Sequence, residues 1–176
     1  MIEYKQGDLF STDWTTPTIK LVPHCCNDVD RFGSGFAGAV AKHWPQVKQR
    51  YHDWHRLGID IESGKPFKLG QFQTVKVRGD DLFSLTYAIN MIGQRDTVSS
   101  DNPKPVKYGP LYKCIEGIGM MLRNFSNQHY PVHNIEVITP KFGSGLAGGD
   151  WAIIEEMVQD QWVSDIVNVT VWELDR

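Results

Sequence analysis

Phe32-Gly33-Ser34-Gly35-Phe36-Ala37-Gly38 and Phe142-Gly143-Ser144-Gly145-Leu146-Ala147-Gly148 are one heptapeptide differing at a single residue, with one copy in each half of a 176-residue chain. Each copy follows a stretch that reads as a strand, Ile19 to His24 and Ile135 to Thr139, and precedes one that reads as a helix, Ala39 to Trp44 and Trp151 to Trp162. A glycine loop between strand and helix places backbone N–H groups and a helix N-terminus where an anion is favoured. Glycine permits positive φ and lets a phosphate approach the main chain. Two such loops suit the two phosphates of one dinucleotide-like ligand, although a pair of tight turns with no ligand has the same spacing. A nicotinamide fingerprint needs an acidic residue about 20 positions on, at the end of a following strand. After the first loop Gln46 to Arg56 reads as helix, and after the second only one helix and one strand remain. Neither copy continues to Gly-Lys-Ser/Thr, which excludes a Walker loop.

Further strands are expected at Ile2 to Gln6, Gln71 to Val77, Leu82 to Ile92 and Ile166 to Glu173, all rich in β-branched and aromatic residues. Leu111, Ile115, Ile118, Leu122 and Phe125 recur at helical spacing, as do Ile154, Met157, Val158 and Trp162, and more weakly Val47, Tyr51 and Trp54. Strands alternating with such helices predict an α/β fold, a three-layer α/β/α sandwich on a largely parallel or mixed sheet of about six strands. Gly58 to Leu69 reads as a connection. Gln94 to Lys107, with two prolines and few apolar residues, reads as a long loop that adds little to the core and serves as a lid or an unstructured excursion.

At 41% hydrophobic and 22% charged residues, residues 1–176 form one domain rather than two. Eighteen basic against 21 acidic side chains, net −3, argue against strong nucleic-acid or membrane binding. No apolar run approaches a membrane span and the start lacks a signal-peptide pattern, so a cytoplasmic monomer is expected, in a host's cytoplasm if phage-encoded. Cys25 and Cys26 are adjacent, which strains an internal disulfide. No partner set completes a zinc site with His24, so no metal and no cofactor are expected.

Three motifs then carry a resemblance that spans almost the whole chain: Gly7-Asp8-Leu9 after the first strand, His24-Cys25-Cys26-Asn27 running into Gly33 to Ala37, and Thr139-Pro140-Lys141 running through the second glycine loop to Asp150-Trp151. Together they resemble a macro domain of the Appr-1″-p processing type. The pattern is most similar to the branch of the terminal ADP-ribose protein glycohydrolase and the ADP-ribose-1″-phosphate phosphatase, which includes many phage proteins. The resemblance implies a cleft for ADP-ribose, ADP-ribose-1″-phosphate or an ADP-ribosylated macromolecule.

By that resemblance Asp8 and Leu9 adjoin adenine, with the Asp8 carboxylate accepting from the exocyclic amine, and Trp172 and Leu174 flank the same base. Read alone, Asp8 is a turn aspartate and Trp172 a core residue. Asn27 falls at the distal ribose. Lys141, Phe142, Gly143, Ser144, Gly145, Leu146 and Ala147 wrap the diphosphate, using main-chain donors and the Ser144 hydroxyl, while Ser34, Gly35, Phe36 and Ala37 close the other side. The catalytic lysine and aspartate of the terminal glycohydrolase fall on Gly93 and Ala147, and the aspartate of MacroD-type hydrolases falls on Ala37. What remains for chemistry is His24 as a general acid or electrostatic partner, Asn27, and Asp150 as a water-activating base. Their bland alternatives are a structural hydrogen bond for His24 and a helix N-cap for Asp150. The function implied is metal-independent dephosphorylation of ADP-ribose-1″-phosphate. The alternatives are a reader module without chemistry and a glycohydrolase with a rearranged catalytic set.

Overall fold

A computed structural model describes residues 1–79, 84–127 and 135–174, excepting the side chains of 126 and 127. Six strands form one mixed sheet: β1 (Ile2–Gln6), β2 (Ile19–Asn27), β3 (Phe72–Arg78), β4 (Thr86–Gln94), β5 (Ile135–Pro140) and β6 (Val167–Glu173). Their order is β1-β6-β5-β2-β4-β3, with only the β3–β4 pair antiparallel. Four helices cover it: α1 (Gly35–His43), α2 (Pro45–Leu57), α3 (Tyr108–Asn127) and α4 (Trp151–Trp162).

Alternation along β2 sorts the layers. Ile19 and Leu21 join the core beneath α3 and α4, with Leu111, Ile115, Ile118, Ile154, Val158 and Trp162. Cys26 faces the other way, into the core with Val40, Val47 and Tyr51 of α1 and α2, and Val22 packs on that side with Leu9 and Ile138. This is the expected α/β/α sandwich.

The topology opens a crevice. From β2 the chain runs by α1 and α2 toward β3 and β4; from β5 it runs by α4 to β6 on the other side, so β2 and β5 form a topological switch point. Pro23 widens it. Its carbonyl accepts the Thr139 hydroxyl of β5 at 2.9 Å, so its missing N–H also faces β5. The β2–β5 ladder accordingly covers only Ile19 to Leu21, whereas the β2–β4 ladder runs from Lys20 to Asn27.

Several expected boundaries move. α1 starts at Gly35 rather than Ala39, because Gly35 to Gly38 of the first heptapeptide form its opening turn. The strand expected from Leu82 begins at Thr86, Leu82 and Phe83 lying outside the described residues. The Gln94–Lys107 segment is neither unstructured nor apart from the core. A bridge joins Gln94 to Val106, Arg95 N–H donates to Pro105 O (2.9 Å), and the Asn102 side chain donates to the Arg95 and Thr97 carbonyls. Val106 is buried, and its N–H donates to Ala147 O at 3.1 Å, so this arm props the second glycine loop.

The two faces of α3 yield a contrast that urea denaturation can check. Ile118→Ala, in the buried stripe, should cost about 2–5 kcal/mol. Met120→Ala, 56% exposed, should stay within about 0.5 kcal/mol.

Candidate functional site

Where β2 and β5 end, the surface sinks into a cleft of two joined lobes. The outer, of about 840 Å³, is lined by Gln6 to Phe10, Phe36, Ala39, Trp172, Glu173 and Leu174. The inner, of about 280 Å³, is lined by His24 to Asn27, Arg31, Phe32, Ser34, Ala37, Gln94, Phe142, Gly143 and Gly145 to Ala147. Gly35, Phe36, Pro140 and Lys141 border both.

The two heptapeptides are not equivalent in space. In the first, Gly35 has φ +56° and opens α1 directly; in the second, Gly143 (+73°) and Gly148 (+71°) take the left-handed conformation and α4 starts only at Trp151. The Ser34 side chain makes no capping bond, and the N–H groups of Gly35, Phe36 and Ala37 meet no acceptor among the described residues. At α4 the Asp150 carboxylate accepts from Ala152 N–H at 2.9 Å. The positive end of α1 is therefore uncapped and offered to the cleft, whereas that of α4 is capped by Asp150. In the second loop the N–H groups of Gly143, Gly145, Leu146 and Ala147 meet no acceptor among the described residues, while those of Gly148 and Gly149 bond within the loop.

Of the residues singled out in the sequence, Asp8, Leu9, Trp172 and Leu174 all line the outer lobe. Asp8 caps a 3₁₀ turn, Leu9–Ser11, with its Oδ1 accepting from Phe10 N–H at 3.0 Å. Leu9 is buried and Leu174 is 76% exposed. Ser34 to Ala37, Lys141 to Gly143 and Gly145 to Ala147 surround the inner lobe, but Ser144 lines neither, its hydroxyl donating to Lys141 O at 2.7 Å.

The three residues considered for chemistry are otherwise engaged. His24 is 1% exposed, and burial lowers its pKa to about 4 against the opposing hydrogen bond to Asn90, so the ring is neutral at pH 7. The Asn27 side-chain oxygen accepts from Val29 and Arg31 N–H, both at 3.1 Å, and its nitrogen donates to Arg31 O at 2.7 Å. Tyr51 Oη adds contacts to the Asn27 carbonyl (2.5 Å) and side-chain oxygen (3.0 Å), so Asn27 folds the turn that carries Arg31. Asp150 lines neither lobe. Burial pushes the Cys25 thiol up to about 12 and the Cys26 thiol well above its ordinary value, so neither is a thiolate.

Charge is divided along the cleft. The outer lobe carries the carboxylates of Asp8 and Glu173; among the described residues no Asp or Glu lines the inner lobe, where Arg31 and Lys141 stand. Lys141 is paired with Glu173. Among the described residues no group of three His, Cys, Asp or Glu side chains gathers as a metal set, and no helix is long and apolar enough to cross a membrane. A side chain at Gly93 would meet Leu111 Cδ1 at 2.8 Å and Cys25 Sγ at 3.1 Å, so α3 is packed against the absence of one. Phe10, Arg31, Gln94 and Glu173 are lining residues that sequence reasoning missed. Phe10 had the best signal, following Gly7-Asp8-Leu9 directly.

Neither a protein-family model nor a curated protein sequence matches the chain. Solved structures do. A protein of unknown function from Bacteroides thetaiotaomicron is 26% identical, with a TM-score of 0.76 over 98% of this chain and 97% of that one. A macrodomain protein from Streptomyces coelicolor is also 26% identical, with a TM-score of 0.71 over 98% and 99% of the two chains. Thermosipho africanus DarTG, solved in complex with ADP-ribose, is 16% identical, with a TM-score of 0.66 over 98% of this chain and 42% of that one. The chain has the macrodomain fold.

The state of His24 sets a pH dependence. With a pKa of about 4 folded and 6.5 unfolded, the unfolded chain binds more protons between those values, so stability falls as pH drops from about 6.5 to 4 and levels off below. The loss attributable to this residue should reach up to about 3 kcal/mol. Urea unfolding from pH 7 to 4.5 should show a slope that is shallower in His24→Gln; equal slopes would refute it.

Proposed function

We propose that the chain binds ADP-ribose, with adenine in the outer lobe and the diphosphate and distal ribose running from the shared boundary into the inner lobe. The observation that carries this reading is the division of the cleft. One end joins an acidic acceptor, Asp8, to Leu9, Phe10 and Trp172, matching a base with an exocyclic amine on an apolar face. The other end joins the free N–H groups of α1 and of the Gly143–Ala147 loop to a wall that carries no carboxylate among the described residues, matching phosphate. DarTG, which shares the fold, was solved with that ligand.

The geometry favours a module that holds ADP-ribose, free or attached to a macromolecule, over one that cleaves it. Hydrolysis needs a group to activate water and one to stabilise the leaving charge. His24 is buried with Nε2 bonded to Asn90 and, being neutral, offers no positive charge to a leaving group; Asn27 is consumed by its own turn, and Asp150 caps α4 away from both lobes. The glycohydrolase reading is weaker still, since the positions aligned with its acid and lysine are Ala147 and the closely packed Gly93. Dephosphorylation of ADP-ribose-1″-phosphate stays as the second reading because Arg31, without an acidic partner among the described residues, stands on the inner lobe.

Calorimetry should give micromolar affinity for ADP-ribose, about −8 kcal/mol. Gly145→Glu should abolish it without unfolding the protein, because a Cβ there meets nothing within 4 Å and the new carboxylate enters the phosphate path. Asp8→Ala should cost roughly 1–3 kcal/mol and erode the preference for adenine over hypoxanthine. No binding at millimolar ADP-ribose would overturn the proposal. Incubation with ADP-ribose-1″-phosphate in EDTA should release no phosphate, and sustained release would establish the second reading.

A further inference from the structure

A polar rung crosses the sheet beneath α1 and α2. His24 of β2 is the register partner of Asn90 of β4, and Asn90 that of Gln73 of β3; all three are buried among apolar neighbours. Asp60, 2% exposed on the connection after α2, continues the rung. His24 Nε2 lies 2.7 Å from Asn90 Oδ1, Asn90 Nδ2 donates to Gln73 Oε1 at 3.1 Å, and Gln73 Nε2 donates to Asp60 Oδ1 at 2.7 Å.

The direction of these bonds is dictated from the Asp60 end. A carboxylate only accepts. Burial opposes ionisation of Asp60, but bonds from Gln73, Ser63 and Arg50 outweigh it and bring its pKa to about 2. Gln73 must therefore turn its NH₂ to Asp60, and the Arg50 carbonyl, 3.2 Å from the same nitrogen, demands the same. The Gln73 oxygen then faces Asn90, the Asn90 oxygen faces His24, and the His24 proton sits on Nε2. Nδ1 is left as an acceptor, 3.7 Å from Cys26 Sγ, and the Cys26 S–H has either that nitrogen or Asn90 Oδ1, at 3.9 Å, as its acceptor. Every donor points toward Asp60.

We propose that Asp60, which lines neither lobe, is a positioning residue of the ligand site: through Gln73 and Asn90 it holds His24 in the neutral, Nε2-protonated tautomer and so fixes the ring on which the cleft wall is built. Phe32 and Phe36 meet that ring edge-on, with centroids 5.5 and 5.8 Å away, and Phe36 borders both lobes. The ligand half of this inference rests on the ADP-ribose reading; the tautomer half does not.

Long-range ¹⁵N–¹H correlation NMR of the histidine rings, with His24 assigned by its loss in His24→Gln, tests both. The wild-type protein should show His24 as a single Nε2–H tautomer; an Nδ1–H form overturns the proposal without any further variant. In Asp60→Asn one acceptor oxygen becomes an NH₂. The Ser63 backbone N–H cannot reverse, whereas Arg50, the other donor to Oδ1, can turn to Glu62, so the NH₂ falls to the Gln73 side; the Arg50 carbonyl at 3.2 Å is then the one acceptor left to orient Gln73, and the rung loses its fixed direction, bringing a detectable Nδ1–H population. Gln73→Met cuts the rung at its middle and should do the same if Asp60→Asn does not fold. A folded variant still wholly Nε2–H contradicts the relay. In the same variants ADP-ribose affinity should fall about fivefold or more, while adenosine monophosphate, a probe of the outer lobe, changes less than about twofold. A tautomer change with unaltered ADP-ribose affinity makes Asp60 structural only. A wild-type protein that binds no ADP-ribose defeats the ligand reading alone, and the tautomer result then decides the relay.

Discussion

The absent N–H of Pro23 is the constraint on which the cleft depends. A central parallel strand is ordinarily bonded to both neighbours along its length, and a proline there removes a donor from one side. Here the removed donor faces β5, so β2 stays zipped to β4 as far as Asn27 but leaves β5 after Leu21. The Thr139 hydroxyl covers the Pro23 carbonyl that the broken ladder would have left bare, at 2.9 Å and fully buried. Beyond that point the strands part at the topological switch point, where α/β sheets take their ligands. The inner lobe occupies the gap, with His24 to Asn27 on one side and Pro140 to Gly143 on the other.

What fills the gap chemically is mainly backbone. Two almost identical glycine stretches meet there, and the surrounding chain gives them different tasks. The first becomes the opening turn of α1, where Gly38 lies so close to Gly33 that a Cβ would come within 2.7 Å of its carbonyl oxygen. The second spends its glycines on a folded loop, with Gly149 N–H bonded to Gly143 O at 2.8 Å and Gly148 packed on Pro103 and Lys104 of the 94–107 arm. Asp150 then caps α4, so among the described helices it is α1 that directs an uncapped end at the cleft. Side chains around this surface mostly hold it in shape: Asn27 folds the turn before α1, and Lys141 pairs with Glu173 at the boundary of the lobes.

The architecture was legible because burial imposes a period. The stripe Leu111, Ile115, Ile118 and Leu122 and the β-branched run of β6 each admit one reading, and the α4 limits Trp151 and Trp162 follow from the apolar stripe between them. The cleft lining was legible for a different reason, since Asp8 and the glycine loops belong to motifs contiguous in sequence, while Trp172 was placed beside the base by the family resemblance alone. What escaped depends on distant partners. Nothing near Gln94 to Lys107 announces that Val106 enters the core and bonds Ala147, and a count of prolines there points to a loose loop. Likewise Gln73 and Asn90 interrupt apolar strands with no local motive. Their reason emerges only when the register aligns them with His24. His24 itself reads as an acid on paper because sequence carries no desolvation.

The uncapped first turn of α1 and the Gly143–Ala147 loop facing it are the proposed seat of the ADP-ribose diphosphate. Backbone amide shifts of ¹⁵N-labelled protein during titration with ADP-ribose measure this most directly. Large, saturable shifts are expected for Gly35, Phe36, Ala37, Gly143, Gly145 and Leu146, with Ala152 and Ile153 at the capped start of α4 unmoved. Shifts centred on α4, or saturation with the amides of Gly35 to Ala37 unchanged, would contradict it.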